Sequence, residues 1–183
     1  MTDLGIPSKF ISINIEFRAS SMKLHQSNFI VKLLEKYGMS DYRSIRTPME
    51  ANFLSSNLVA DELCYQPYRE LIGSLLYLST NTRPDICFAV NILSRYQENP
   101  TKSKWIALKR VLRYLKGTVD IGSIYYKSKD SNINVMNVFN YEEGTLIEAY
   151  SDADHAADRS DRKSVSGFVI EIFGNVVHWG TCK

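Results

Sequence analysis

Between residues 68 and 117 the chain carries three runs of helical periodicity separated by only a few residues each, and no other feature constrains the fold so tightly. In the first run Tyr68, Leu71, Ile72, Leu75 and Leu78 fall on one face, and Gly73 offers a place for a neighbour to approach closely. In the second, Pro84 takes a first-turn position, Asp85 sits favourably at the positive end of the helix dipole, and Ile86, Ala89, Val90 and Leu93 make the stripe. The third opens at Thr101, an expected N-cap, and stops at Gly117, with Trp105, Leu108, Val111, Leu112 and Leu115 turned inward. Helices joined this closely have to fold back on one another, so the expectation is an antiparallel bundle.

The flanking segments follow other periods. In FISINIEF, Ile11, Ile13, Ile15 and Phe17 alternate with Ser12, Asn14 and Glu16, the pattern of a half-buried strand. MKLHQ returns after a polar turn, so residues 9–25 predict a hairpin. A helix follows from Ser27, with Phe29, Ile30, Leu33, Leu34 and Tyr37 at helical spacing and Gly38 as its stop. Residues 39–63 lose periodicity and read as loop and linker. Beyond Gly117, IGSIYYK predicts a short strand, residues 128–143 a polar insertion, and LIEAYSDA another strand. SGFVIEIFGNVVHW predicts two strands joined at a turn of Gly174 and Asn175. The 183 residues suffice for one ordinary domain or two small ones, and 44% apolar with 23% charged residues are globular values.

A net charge of +2 names no partner, but its distribution is uneven. The third helix has no acidic residue, and at about 100° per residue Lys102, Lys109, Arg113 and Lys116 cluster beside its apolar stripe. Two readings fit such a face. It follows a phosphate backbone, which supplies the missing counter-charge, or it is a solvated surface whose long stems cover apolar atoms.

Acidic residues gather instead in AYSDADHAADRSDRKSVSG. On an extended strand Asp152 and Asp154 point to the same side, with Glu148 and Tyr150 behind them, and two carboxylates on one face begin a Mg²⁺ site. Asp158 and Asp161 alternate with Arg159, Arg162 and Lys163 and read as local ion pairs in an exposed loop. After Asp161 the one acidic residue is Glu171, the solvent-facing member of an alternating strand, so on chemistry alone the metal site is half-built. His25, His155 and His178 show no ligand spacing. Cys64, Cys87 and Cys182 read as reduced, buried thiols. The chain has no run of about 18 apolar residues and its first residues resemble no export signal, so the expected compartment is the cytosol or nucleus.

YRELIGSLLYLSTNTRPDICFAVNILSRYQENPTKSKWIALKRVLRYLKGT, residues 68–118, closely resembles the region downstream of the polymerase palm in Ty1/copia-type retrotransposon Pol polyproteins. The strand KFISINIEF, LHQSNFIVKLLEKYGM and TPM upstream are similar to the end of that reverse transcriptase, and YSDADHAADRSDRKSVSGFVIEIFGNVVHW is similar to the opening of its ribonuclease H domain. The resemblance implies an α+β fold: a β-hairpin and helical thumb/connection bundle, followed by the first strands of an incomplete ribonuclease H-like α/β domain. It implies a palm end over residues 1–62, the thumb/connection over 63–127, the insertion over 128–143 and the ribonuclease H segment over 144–183.

By the same resemblance Lys102, Lys109, Arg113 and Lys116 follow the backbone of an RNA–DNA hybrid or DNA duplex without reading its sequence. Asp152 matches the first catalytic, Mg²⁺-binding carboxylate of ribonuclease H, and Asp154 the second Asp of that motif. The family's paired polymerase aspartates lie upstream of Asp3, and its remaining ribonuclease H carboxylates beyond Trp179, so both active sites are expected to be incomplete and Mg²⁺ weakly held. His155, Lys104 and Ser12 stand where the family commonly has Trp, His and Gly. Three readings stay open: a Pol fragment that keeps nucleic-acid-binding surfaces, a ribonuclease H-type subunit completed in trans, or a host-adopted non-catalytic binding module. The implied setting is the cytoplasm, within a virus-like particle beside the rest of a Pol protein, or the nucleus, with no membrane partner.

Overall fold

The computed structural model of the chain describes residues 5–51, 53, 62–127, 147–155 and 163–183. Its elements are β1 (Lys9–Phe10), β2 (Ile13–Phe17), β3 (Ser21–His25), α1 (Ser27–Lys36), α2 (Tyr68–Asn81), a 3₁₀ turn (Pro84–Ile86), α3 (Cys87–Ser94), α4 (Lys102–Gly117), β4 (Ser123–Tyr126), β5 (Ile147–Ala153), β6 (Ser166–Ile172) and β7 (Asn175–Cys182). The fold is α+β, with four α-helices and two antiparallel sheets, β1-β2-β3-β4 and β5-β6-β7, among the described residues. None of those helices is long and apolar enough to cross a membrane.

The helices enclose the main core. Tyr68, Leu71, Ile72, Leu75 and Leu78 of α2, Ala89, Val90 and Leu93 of α3, and Leu108, Val111, Leu112 and Leu115 of α4 are buried together, as their 3.6-residue spacing predicts. Ile30, Leu33 and Leu34 of α1 join the same cluster, so the first helix belongs to the bundle. Gly38, at φ 61°, ends α1 as expected, and the next amide, of Met39, donates back to the Leu34 carbonyl at 2.8 Å. The Tyr68 hydroxyl donates to the Leu93 carbonyl at 2.8 Å, tying α2 to α3, and burial raises its pKa well above the ordinary tyrosine value.

Tertiary structure corrects several local readings. FISINIEF is not one strand: Ile11 and Ser12 have φ of 43° and 61° and form a two-residue turn closed by the Phe10–Ile13 pair. That turn class needs left-handed backbone at both positions, which takes Ile11 out of the alternation and leaves it 66% exposed. The turn between β6 and β7 is Phe173–Gly174, one residue earlier than expected, because Ile172 pairs with Asn175. Gly73 receives no close neighbour, since a Cβ there would meet nothing within 4 Å. Thr101 occupies the N-cap position but its side chain makes no cap bond; the first-turn amide of Lys102 donates to the Glu62 carbonyl at 2.9 Å instead. Lys104 is buried and Trp105 only half-buried, the reverse of the expected stripe, because the Lys104 ammonium lies over the Phe53 and Tyr96 rings. All three cysteines are free, but none is buried as expected: Cys64 and Cys87 are half-buried and Cys182 is exposed. The polar insertion and the loop charges Asp158 and Asp161 lie outside the described residues.

The chain leaving α4 does not start the second sheet. β4 returns to β3, with Ser21 opposite Tyr126 and Leu24 opposite Ser123, and so closes residues 9–126 around the bundle. The second sheet packs on α3 and the end of α2: Asn91 Nδ2 of α3 donates to the Thr181 carbonyl at 3.1 Å, and the Trp179 indole donates to the Ser79 carbonyl of α2 at 2.7 Å. The Asn175 side-chain amide joins the two sheets, accepting from the Tyr126 amide at 2.6 Å and donating to the Tyr126 carbonyl at 3.2 Å. Trp179→Phe keeps most of the ring and removes the indole donor, so chemical denaturation should show a loss of about 1 kcal/mol.

Candidate nucleic-acid interface

The basic residues of α4 share a helix flank because they recur at three- and four-residue intervals. The chain's own loop lies along them. The Arg113 Nε donates to the Arg43 carbonyl at 2.8 Å, and the Lys116 ammonium to the Tyr42 carbonyl at 2.8 Å. Arg110 holds the same loop further on, donating to the Glu50 carboxylate and the Thr47 hydroxyl, each at 3.0 Å. Gly117 permits this approach, since a Cβ there would stand 3.0 Å from the Ser44 Cβ.

The four cations singled out by spacing therefore differ in their surroundings. Lys102, at the helix start, pairs with Glu62 at an exposed site. The Lys109 ammonium lies 5.8 Å from the centre of the Trp105 ring, with no acidic partner among the described residues. Arg113 spends only Nε on the loop, which fixes its guanidinium and leaves both terminal nitrogens without a partner among the described residues. Between them, Lys109, Arg113 and Lys116 form an almost uncompensated positive strip beside a loop that adds Arg43 and Arg46. No periodicity argument could have shown that this loop packs there, and its charge gave no signal either, since Arg43 and Arg46 are matched in number by Asp41 and Glu50.

The carboxylates stand elsewhere, on β5 and just past its end. Asp152 lies opposite Gly167 in the β5–β6 ladder and accepts from the Ala153 amide at 2.9 Å through Oδ1. Asp154 Oδ1 accepts from the Val165 amide at 3.0 Å, while its own amide donates to the Val165 carbonyl at 3.1 Å. Both line a groove of about 480 Å³ between α3 and the second sheet, together with Phe88, Tyr150, Phe168 and Trp179. The Tyr150 hydroxyl donates to Glu148, and that bond raises the tyrosine pKa. Among the described residues no three His, Cys, Asp or Glu side chains gather as a metal site would require. Among the described residues the donor set thus falls short of what the Mg²⁺ implied by resemblance requires: Asp152 and Asp154 each have one oxygen bonded to a backbone amide, and no third ligand-type side chain gathers with them.

Sequence reasoning missed the Arg83–Asp85 unit. Asp85 does not serve mainly as a helix-dipole charge: its carboxylate takes a two-pronged bond from Arg83, Nε to Oδ1 at 2.9 Å and Nη2 to Oδ2 at 2.8 Å, and a third from the Tyr114 hydroxyl at 2.8 Å. Arg83 also donates to the carbonyl and hydroxyl oxygens of Thr118, at 2.9 and 2.6 Å. The unit braces the start of α3 against the end of α4 and so orients the basic flank. An arginine between two apolar helical runs was the signal for it.

Comparison with known proteins places these features in context. An uncharacterised mitochondrial protein of Arabidopsis thaliana, AtMg00810, is 35% identical over 179 residues, which cover 98% of this chain and 68% of that protein. The retrovirus-related Pol polyprotein from transposon TNT 1-94 of Nicotiana tabacum is 30% identical over 98% of this chain, and that from transposon RE2 of Arabidopsis thaliana 34% identical over 95%. The chain spans only 13% and 11% of those two polyproteins. No family model and no solved structure matches it.

Proposed function

Because this chain belongs to the retrovirus-related Pol polyproteins of copia-type transposons, we propose that it is a Pol segment whose α4 flank follows a nucleic-acid backbone and which completes neither catalytic site by itself. The observation that carries this reading is the strip of Lys109, Arg113 and Lys116, with no acidic residue on α4 and the loop's own cations beside it. Phosphates attract such a strip without regard to sequence, and their counterions are released on binding.

In this reading residues 1–62 derive from the end of the reverse transcriptase palm, 63–127 from the thumb and connection, and 144–183 from the start of a ribonuclease H-like domain, with 128–143 inserted between. Packing joins the first two parts closely, through α1 in the common core and β4 on β3. Asp152 and Asp154 are then inherited carboxylates that cap the β5–β6 connection, and no hydrolytic step is assigned to them. The natural setting would be a cytoplasmic particle containing the rest of a Pol protein.

Binding of a fluorescent RNA–DNA hybrid across a salt series, with Mg²⁺ present, tests the proposal. Affinity should fall steeply with salt, and replacing Lys109, Arg113 and Lys116 by Glu should weaken it roughly a hundredfold at low salt and flatten the salt slope. Since Arg113 and Lys116 also hold the loop, Lys109→Glu alone provides the check: its ammonium lies over the Trp105 ring of its own helix, and the change should still weaken binding several-fold. Unchanged affinity in both variants would reduce the strip to a solvated surface, and RNA cleavage by the pure protein would refute the non-catalytic reading.

A further inference from the structure

Where the 39–53 loop lies against α4 it leaves a groove of about 420 Å³, floored by Met39, Tyr42, Met49, Phe53, Ile106 and Ala107. Lys109, Arg110 and Arg113 line the same groove, one and two turns along the helix from Ile106. We propose that this groove holds one unpaired nucleobase, with the phosphate of that nucleotide taken by Arg113 and Lys109. The inference deepens the backbone-binding reading of the same flank and rests on it.

Three observations select this occupant. The floor offers the Tyr42 and Phe53 rings, on which any base stacks, with the soft Met49 thioether beside them and Met39 buried beneath. Ile106 is 67% exposed on a helix otherwise polar at its surface, an apolar position with nothing over it among the described residues. The net charge of the lining is positive: Glu50 is neutralised by Arg110, while Lys109 and the terminal nitrogens of Arg113 have no acid opposite them among the described residues. Arg110 Nε is shielded from solvent and has no hydrogen-bond partner among the described residues, a donor suited to a base edge or phosphate oxygen. A planar apolar group carrying one compact anion matches this combination, and a nucleotide is such a group.

The probe is a single-stranded oligodeoxynucleotide compared with an abasic chain of equal length, measured beside the RNA–DNA hybrid on the same protein. The intact strand should bind about tenfold more tightly than the abasic one, the equivalent of one stacked base. Ala107→Phe, which fills the groove, should abolish that difference while hybrid binding persists; Ile106→Ser, at an exposed position where folding is not at risk, should reduce it. Equal affinity for the two strands with hybrid binding intact would overturn the base pocket and leave the backbone reading standing. A preference surviving both variants would place the base elsewhere and also overturn it, as would displacement of the strand by an acidic, aromatic-containing peptide at equal concentration. Loss of all binding in the unaltered protein would overturn both readings.

Discussion

Replacing Asp85 by alanine should cost about 3–5 kcal/mol of stability, the penalty for leaving a buried charge without its partner. Arg83 is 0% exposed, and Asp85, 29% exposed, is its sole anionic partner among the described residues. Without it the guanidinium keeps only the two oxygens of Thr118 and the Tyr114 ring, 5.7 Å from its central carbon. Arg83→Met combined with Asp85→Leu should recover most of the loss, because the cost lies in the orphaned charge and less in the absent pair. Urea denaturation of the three proteins distinguishes these outcomes; a double variant no better than Asp85→Ala would mean that the bracing bonds themselves supply the stability.

The same unit sets an acid limb. Burial pushes the Asp85 carboxyl up, but the bonds and charge of Arg83 and the bond from Tyr114 outweigh it, so the folded value lies below the ordinary 3.8. A depressed carboxyl contributes stability above its unfolded value and loses it as pH falls through the folded one. The unaltered protein should therefore lose stability below about pH 4, and Asp85→Ala should lose less over that interval.

Gly122→Ala should be nearly as damaging, at about 3 kcal/mol, the upper part of the range for forced overpacking. A Cβ at this position would stand 2.2 Å from the Leu24 carbonyl oxygen and 2.8 Å from the His25 Cβ. The first of these is backbone in the β3–β4 ladder and cannot swing aside, so β4 must separate from β3. Hydrogen exchange should show early loss of protection in Ser123–Tyr126 before the helices open. Gly73→Ala is the control: it meets nothing within 4 Å on a helix and should be neutral or stabilising by up to about 1 kcal/mol. Similar losses in the two variants would show that the β3–β4 contact is not what makes Gly122 necessary.

The comparison of Gly122 with Gly73 also separates what a sequence reveals from what it hides. Gly73 sits within a helical run, where a glycine invites the idea of close packing, yet it faces open space. Gly122 lies in an unremarkable strand approach and carries the tightest backbone contact of any glycine in the described chain. Asp85 is similar: its position before a helix explains it locally, and its actual partners are an arginine two residues away and a tyrosine on another helix. For the candidate interface, spacing put the cations of α4 on one side of the helix, and Lys102 differs from the rest in pairing with Glu62. Spacing could not show that residues 42–50 lie across that side, or that Arg113 and Lys116 are anchored by main-chain carbonyls.

By itself the sequence determined the four helices, their buried stripes apart from Lys104 and Trp105, the pairing of the β6–β7 segment as two strands, and membership of a transposon Pol family. These follow from short periodicities and contiguous motifs, because a helix or strand buries one face and must repeat its apolar residues at its own pitch. Only the tertiary structure decided that β4 closes on β3, that Asn175 joins the sheets, that Arg83 reaches Thr118, and that a loop and a helix enclose an apolar groove with a basic lining. Each of these joins segments distant in the chain through one or two polar atoms or a shape match, and such contacts impose no repeat that a linear pattern could carry.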